Sequence, residues 1–261
     1  LNDKDNITIV TYSTEANILF TDCECSEQNK QNIETELDNL KPTGTTNMWD
    51  GIKTSLDILK NNSPKDKLKV IKLFTDGLPS TEPNRGYGAE ILKYFKTNNF
   101  KCMINCYGFG YSLKSDILNE ISNVSGGDGF SYIPDSSLLG NVFIHGVSNF
   151  FTTAATYIQC KIVFTDGSDK PFEINSLKYG QTKHIVLEVN KSVSHVEVDI
   201  CDNIIKSELS EITEKDYYEQ LYRHKTYNML DGCITMKKFN DEEFKTTLEN
   251  LILEITFNKD I

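Results

Sequence analysis

The sequence has one tryptophan, six prolines and four histidines in 261 residues. It has no run of 18 apolar residues, the length a helix needs to cross a bilayer. It also has no cluster of lysine or arginine: 27 basic against 38 acidic side chains give a net charge of -11. Phosphate contacts dominate nucleic-acid affinity, and anionic membranes attract basic segments. An acidic chain without a basic patch therefore argues against nucleic acid as a partner and against membrane insertion. Catalytic patterns are missing too. No His-Glu-x-x-His, Gly-x-Ser-x-Gly or Gly-x-x-x-x-Gly-Lys occurs. His145, His184, His195 and His224 show no ligand spacing, and Gly108-Phe109-Gly110 lacks the third glycine of a dinucleotide fingerprint. The chain reads as a binding protein and not an enzyme.

The composition, 38% hydrophobic and 25% charged, is that of a globular protein. Seven cysteines, an odd number, lie mostly in apolar runs such as KCMINCYGF and YIQCKIVF. There they read as small buried hydrophobes rather than a disulfide framework, which favours a reducing cytoplasm. Cys23-Glu-Cys25 is a close pair, but no second Cys/His pair at finger spacing accompanies it.

What is present centres on residues 41–80, KPTGTTNMWDGIKTSLDILKNNSPKDKLKVIKLFTDGLPS. Thr46 or Asn47 could cap a helix in which Ile52, Leu56 and Leu59 form one buried stripe, ending at Asn61-Asn62-Ser63-Pro64. LKVIKLF reads as a strand covered on both faces, as in a parallel sheet. Asp76 stands at its carboxyl end, where open α/β sheets form their ligand crevice, and Thr46 would meet it there. Singly, each has a plainer role: Thr46 as a helix cap, Asp76 as a turn-capping carboxylate. Gly44, Asn47, Trp49 and Gly77 flank the crevice as candidate partner contacts, although a lone tryptophan beside a helix start, as Trp49 is, is more often a core residue than a partner anchor.

This Gly-Thr-Thr-Asn loop and the Thr-Asp-Gly strand end resemble the second and third loops of the metal-ion-dependent adhesion site of von Willebrand factor type A domains. The resemblance implies that the Thr46 hydroxyl and the Asp76 carboxylate bind Mg²⁺ or Mn²⁺. It also implies that an acidic side chain of a protein partner completes the metal shell. The family's first loop, Asp-x-Ser-x-Ser, is not found; Asp166 has Ser168 two residues on, but Lys170 follows where a second serine belongs. The metal site is therefore expected to be incomplete, and metal binding weak or absent. The chain, opening on Leu1, reads as cut on its N-terminal side, losing a strand and helix of roughly 30 to 40 residues. In the family that strand lies between ITIVTYS and KVIKLFT.

Alternating strands and helices predict a doubly wound, mainly parallel sheet lacking its first strand over residues 1–155. Short period-two runs, YIQCKIVFTD, KPFEI, KHIVLEV and HVEVDICD, predict a small antiparallel β-sandwich over 156–209. A helical hairpin is expected over 210–261, with Thr213 capping one helix and Asn240 and Glu243 boxing the next. Such an order is similar to that of extended members of the family, among them inter-alpha-trypsin inhibitor heavy chains and intracellular proteins carrying a RING or U-box. The functional reading is a protein-protein interaction module. The alternatives are a substrate-recruiting, non-catalytic part of a ubiquitin-ligase-like protein, or a secreted adhesion or matrix protein, for which the sequons at Asn6, Asn61, Asn123 and Asn190 would speak.

Overall fold

The computed structural model describes residues 1–62, 67–200, 203–235 and 241–257. The helix stop at Ser63-Pro64, Cys201 and the capping box at Asn240 and Glu243 lie outside the described residues and side chains. The chain forms two compact units, Leu1–Tyr157 and Ile158–Ile261.

The first unit opens with a hairpin, β1 (Asn6–Tyr12) antiparallel to β2 (Ala16–Glu24), followed by helix α1 (Glu27–Asp38). The Ser26 side chain accepts the Asn29 amide and starts α1. Helix α2 (Met48–Asn62) follows, with Ile52 and Leu56 wholly buried. Then strand and helix alternate: β3 (Val70–Thr75), α3 (Tyr87–Asn98), β4 (Met103–Phe109), α4 (Ser115–Val124), β5 (Phe130–Ile133) and α5 (Ser136–Phe151). β3, β4 and β5 form a parallel sheet in that order.

Period two decides what each sheet face meets. Ile71, Leu73, Ile104 and Cys106 join Ile52, Leu56, Ile91, Leu118 and Ile121 in one core, so α2, α3 and α4 cover that face. On the other face Phe143 of α5 stacks on Phe74 at 5.7 Å, and the Lys72 ammonium sits over the Phe143 and Tyr107 rings. Helices on both faces make the sheet doubly wound, as predicted, and Cys102, Ile104 and Cys106 line one side.

β1 and β3 do not pair: the hairpin and the parallel sheet are separate. Across the gap the Tyr12 hydroxyl donates to the Phe74 carbonyl at 2.6 Å. Burial, above other effects, pushes the Tyr12 phenol up to about 12, so it stays a proton donor at neutral pH.

α5 ends at Phe151 with Thr152 as its cap, and strand β6 (Thr153–Phe164) follows directly. β6 pairs with β7 (Asp169–Lys178) and β8 (Val193–Ile200), and β8 with β9 (Asn203–Lys206), in one sheet of order β7-β6-β8-β9. Among the described residues this antiparallel region is thus a single sheet rather than two packed ones. KHIVLEV, expected as one of its strands, carries no strand. Helices α6 (Glu214–Thr235) and α7 (Asp241–Phe257) follow as a helical pair, tied by Lys225 to Glu254 at 2.5 Å. The Thr213 hydroxyl accepts the Asp216 amide at the start of α6, as a cap should.

Candidate functional site

Three loops meet at the carboxyl end of β3. The turn after β1, Ser13-Thr14, meets the Gly44–Asn47 loop. The Ser13 carbonyl accepts the Asn47 amide at 2.7 Å, and the Thr14 carbonyl accepts the Asn47 side-chain amide at 3.1 Å. The Thr14 hydroxyl accepts the Thr45 amide at 3.3 Å. Gly44 has φ +68, and a Cβ there would lie 2.6 Å from the Thr14 hydroxyl, so the approach of these loops requires glycine. Asp50, in the first turn of α2, accepts the Ala16 amide at 2.7 Å and pins the hairpin to the helix.

The segment after β3 closes on the same loop. Ser80 donates its amide to the Thr46 carbonyl at 2.9 Å, and its hydroxyl accepts the Thr46 amide at 3.1 Å. A Cβ at Gly77 would stand 3.8 Å from the Thr46 hydroxyl. Thr46 and the strand end that carries Asp76 are therefore neighbours, as their positions at a sheet crevice require.

Which side chains do structural work here is specific. Asn47 Oδ1 accepts the Asp50 amide at 3.3 Å, three residues on, so Asn47 is the cap of α2. Thr75, buried, exchanges hydrogen bonds with Gly77 at 3.3 and 3.4 Å and shapes the turn. Among the described residues, neither the Thr46 hydroxyl nor the exposed Asp76 carboxylate has a hydrogen-bond or ion-pair partner. Both are oxygen donors on loops that meet at the carboxyl end of β3. Trp49 packs against the core and edge-on to Tyr87 at 6.4 Å.

In kind these donors suit a hard cation such as Mg²⁺. In number, one hydroxyl and one carboxylate fill two of about six positions. Among the described residues, no three His, Cys, Asp or Glu side chains are grouped to hold a metal. Asp166 is no substitute for the missing loop. Its carboxylate is engaged by Lys191 at 2.8 Å and by the Ser168 hydroxyl and amide, which hold it well below the usual carboxylate range. It closes the β6–β7 turn.

Sequence reasoning passed over Ser13, Thr14 and Ser80. Their signal is weak because hydroxyl residues are common in turns; only the folded chain shows that they grip the Thr46 loop.

A family model described as von Willebrand factor type A domain matches residues 1–78, which include both Thr46 and Asp76. No curated protein matches the chain. Among solved structures, a von Willebrand factor type A protein from Catenulispora acidiphila superposes with a TM-score of 0.61 at 13% identity, over 79% of this chain and 56% of that one. The ArnB paralog VWA2 from Sulfolobus acidocaldarius gives 0.50 at 15% identity, over 98% and 73%. The chain thus spans a little over half the length of the first of these. At such identities the superpositions speak for the fold, and the family model speaks for the loops that build the crevice. Residues 1–78 therefore resemble a von Willebrand factor type A domain, and the superpositions show that the chain shares the fold of such proteins.

Proposed function

We propose that the chain is a non-catalytic protein-interaction module that binds an acidic side chain of a protein partner, through Mg²⁺ or Mn²⁺, at the crevice of Thr46 and Asp76. The observation that carries this reading is the division of labour in the crevice. Asn47 caps the helix and Thr75 shapes the turn, leaving the Thr46 hydroxyl and Asp76 carboxylate uncommitted. A bound cation would supply a positive centre for a carboxylate in an otherwise acidic chain. Thr46 and Asp76 would hold it, and Ser80, Thr14 and Asn47 keep the Thr46 backbone in place.

Calorimetric titration with MnCl₂ tests the reading. The expected outcome is weak binding that Asp76→Ala abolishes and Thr46→Ala reduces, consistent with two protein donors. Binding that is unchanged in Asp76→Ala would overturn it, and a tight site lost with Asp76 would reveal further ligands.

We also place the protein in the cytoplasm. Cys102 and Cys106 support this: both are buried, and burial pushes their thiols up to about 12, the behaviour of inert core residues. Thiol titration of the native protein under denaturant is expected to count seven free groups. A count of one, with three disulfides by mass, would favour the extracellular alternative.

A further inference from the structure

The hairpin and the parallel sheet face each other with two bare edges. Among the described residues β1 pairs with β2 alone, and β3 with β4 alone. Side chains span the slot between them at both ends. At one end the Tyr12 hydroxyl reaches the Phe74 carbonyl at 2.6 Å; at the other the Lys67 ammonium reaches the Lys4 carbonyl at 3.2 Å and the Asn6 side chain at 2.5 Å. The amino ends of β1 and β3 thus lie together, and so do their carboxyl ends. Each bridge is a long side chain plus one hydrogen bond, a reach of roughly 9 to 10 Å, and two strand steps of about 4.8 Å make the same distance. The slot is one strand wide and as long as the seven residues of β1.

Its walls set what an inserted strand must carry. On one face Ile71 and Leu73 join the core of Ile52 and Leu56. On the other, Lys72 is half-buried beneath α5, its ammonium over the Tyr107 and Phe143 rings and donating to the Tyr107 hydroxyl at 3.2 Å. Among the described residues that ammonium has no ion pair, and burial lowers its pKa. A strand with apolar side chains toward the core and a carboxylate toward Lys72 satisfies both faces.

The chain itself contains such a segment. Residues 183–189, KHIVLEV, alternate as a strand does yet carry none, and they too number seven. Among the described residues Ile185, Val186 and Leu187 make no backbone hydrogen bond, and Ile185 and Leu187 are exposed. With Ile185, Leu187 and Val189 turned to the core, period two puts Val186 and Glu188 on the Lys72 side.

We propose that residues 183–189 of a second copy enter the slot between β1 and β3 as a strand, with Glu188 against Lys72. Charge, length and alternation all match this occupant. Ladders on both sides supply the affinity, and the alternate side chains supply the specificity. Reciprocal exchange between two copies closes a two-fold dimer.

The experiment uses the 261-residue chain. Light scattering over a dilution series is expected to show a monomer that becomes a dimer as concentration rises. Val186→Pro removes an amide that an inserted strand needs, in a segment without backbone partners, so this variant should fold and stay monomeric. By fluorescence anisotropy, a labelled synthetic peptide of residues 182–191 should bind the variant, and the same peptide with Glu188→Lys more than about tenfold less tightly. Amide exchange should find Val70, Lys72 and Phe74 unprotected in the dilute monomer and slowed when the peptide is bound. A wild-type chain that stays monomeric at every concentration overturns the proposal, as does a dimer that persists in Val186→Pro. Failure of the peptide to bind, or equal binding of its Lys version, overturns the seating of Glu188 against Lys72 and the proposal with it. Protection gained along β9, whose outer edge is also bare, in place of β3 would assign the contact to that edge and overturn it too.

Discussion

Thr46 and Asn47 are adjacent polar residues at one helix start, and the local pattern fits either as the cap. What separates them is tertiary: the Ser13 and Thr14 carbonyls take both the backbone and side-chain amides of Asn47, aiming its Oδ1 back at Asp50. Thr46 is held instead through its backbone by Ser80, and its hydroxyl stays unused. The sequence motif pointed to Thr46 and Asp76 but could not say which neighbour serves structure, because that depends on a turn more than 30 residues upstream. The assignment has a direct consequence for mutants. Asn47→Ala removes a cap and one tertiary hydrogen bond, from the side-chain amide to the Thr14 carbonyl, and should cost about 1 to 2 kcal/mol. Asp76→Ala, with nothing to lose in the fold, should shift stability by less than about 0.5 kcal/mol, as at ordinary surface sites. Urea unfolding of the two variants checks this. Equal destabilisation by both would mean that Asp76 supports the turn and is not free for a ligand.

At the scale of elements, alternation of apolar residues served well where partners exist and misled where they do not. HVEVDI and KHIVLEV carry the same period-two signal, yet only the first is a strand, paired on both sides by β6 and β9. Ile185 and Leu187 of the second are exposed. Periodicity records which residues would share a face; it does not supply the neighbouring strand that completes a ladder. β8 also shows a feature the pattern could not convey. Glu197 lies directly across from Lys161 on one side and Lys206 on the other, at 2.8 and 3.0 Å, with His195 at 3.1 Å. Hydrogen bonds from Lys161, then Lys206 and His195, hold its carboxyl down to about 2. In the unfolded chain a glutamate titrates near 4.3. The folded state therefore favours the ionised form, and its stabilisation is complete above roughly pH 4.5 and is lost as the pH falls toward 2. Glu197→Gln should lower the melting temperature at pH 7, since two lysines would face each other across β8 without a counter-charge. It should also flatten the acid limb of the stability profile between pH 4.5 and 2. Thermal melts across that range provide the check, and a mutant whose acid limb stays as steep as wild type would show that other carboxylates dominate it.

For the whole molecule the sequence conveyed the alternation of elements and the carboxyl-end crevice, and the family pattern placed the two flanking strands apart. It could not say how the chain would treat the space between β1 and β3, because pairing across it is decided by geometry and not by the composition of either strand. The answer is a gap bridged by a side chain. In a parallel strand the amide and carbonyl of one residue point the same way, and successive residues alternate between the two edges. The Phe74 carbonyl points at Tyr12, so Val70, Lys72 and Phe74 face the gap, while Ile71, Leu73 and Thr75 face β4. This makes a sharp prediction for amide hydrogen exchange. The amides of Ile71, Leu73 and Thr75 can exchange only when the β3–β4 ladder opens, whereas those of Val70, Lys72 and Phe74 have no ladder partner among the described residues. Alternate residues of β3 should therefore differ in protection by roughly a thousandfold or more, given a domain stability of at least about 5 kcal/mol. β4, paired on both sides along Cys106–Gly108, should be protected at every position there. Tyr12→Phe removes the bridging hydroxyl and should cost about 1 kcal/mol, leaving the Phe74 carbonyl to water. Uniform protection along β3 in the isolated protein would show that its outer edge is paired in solution, by β1 or by a strand of another chain, and that the gap is closed.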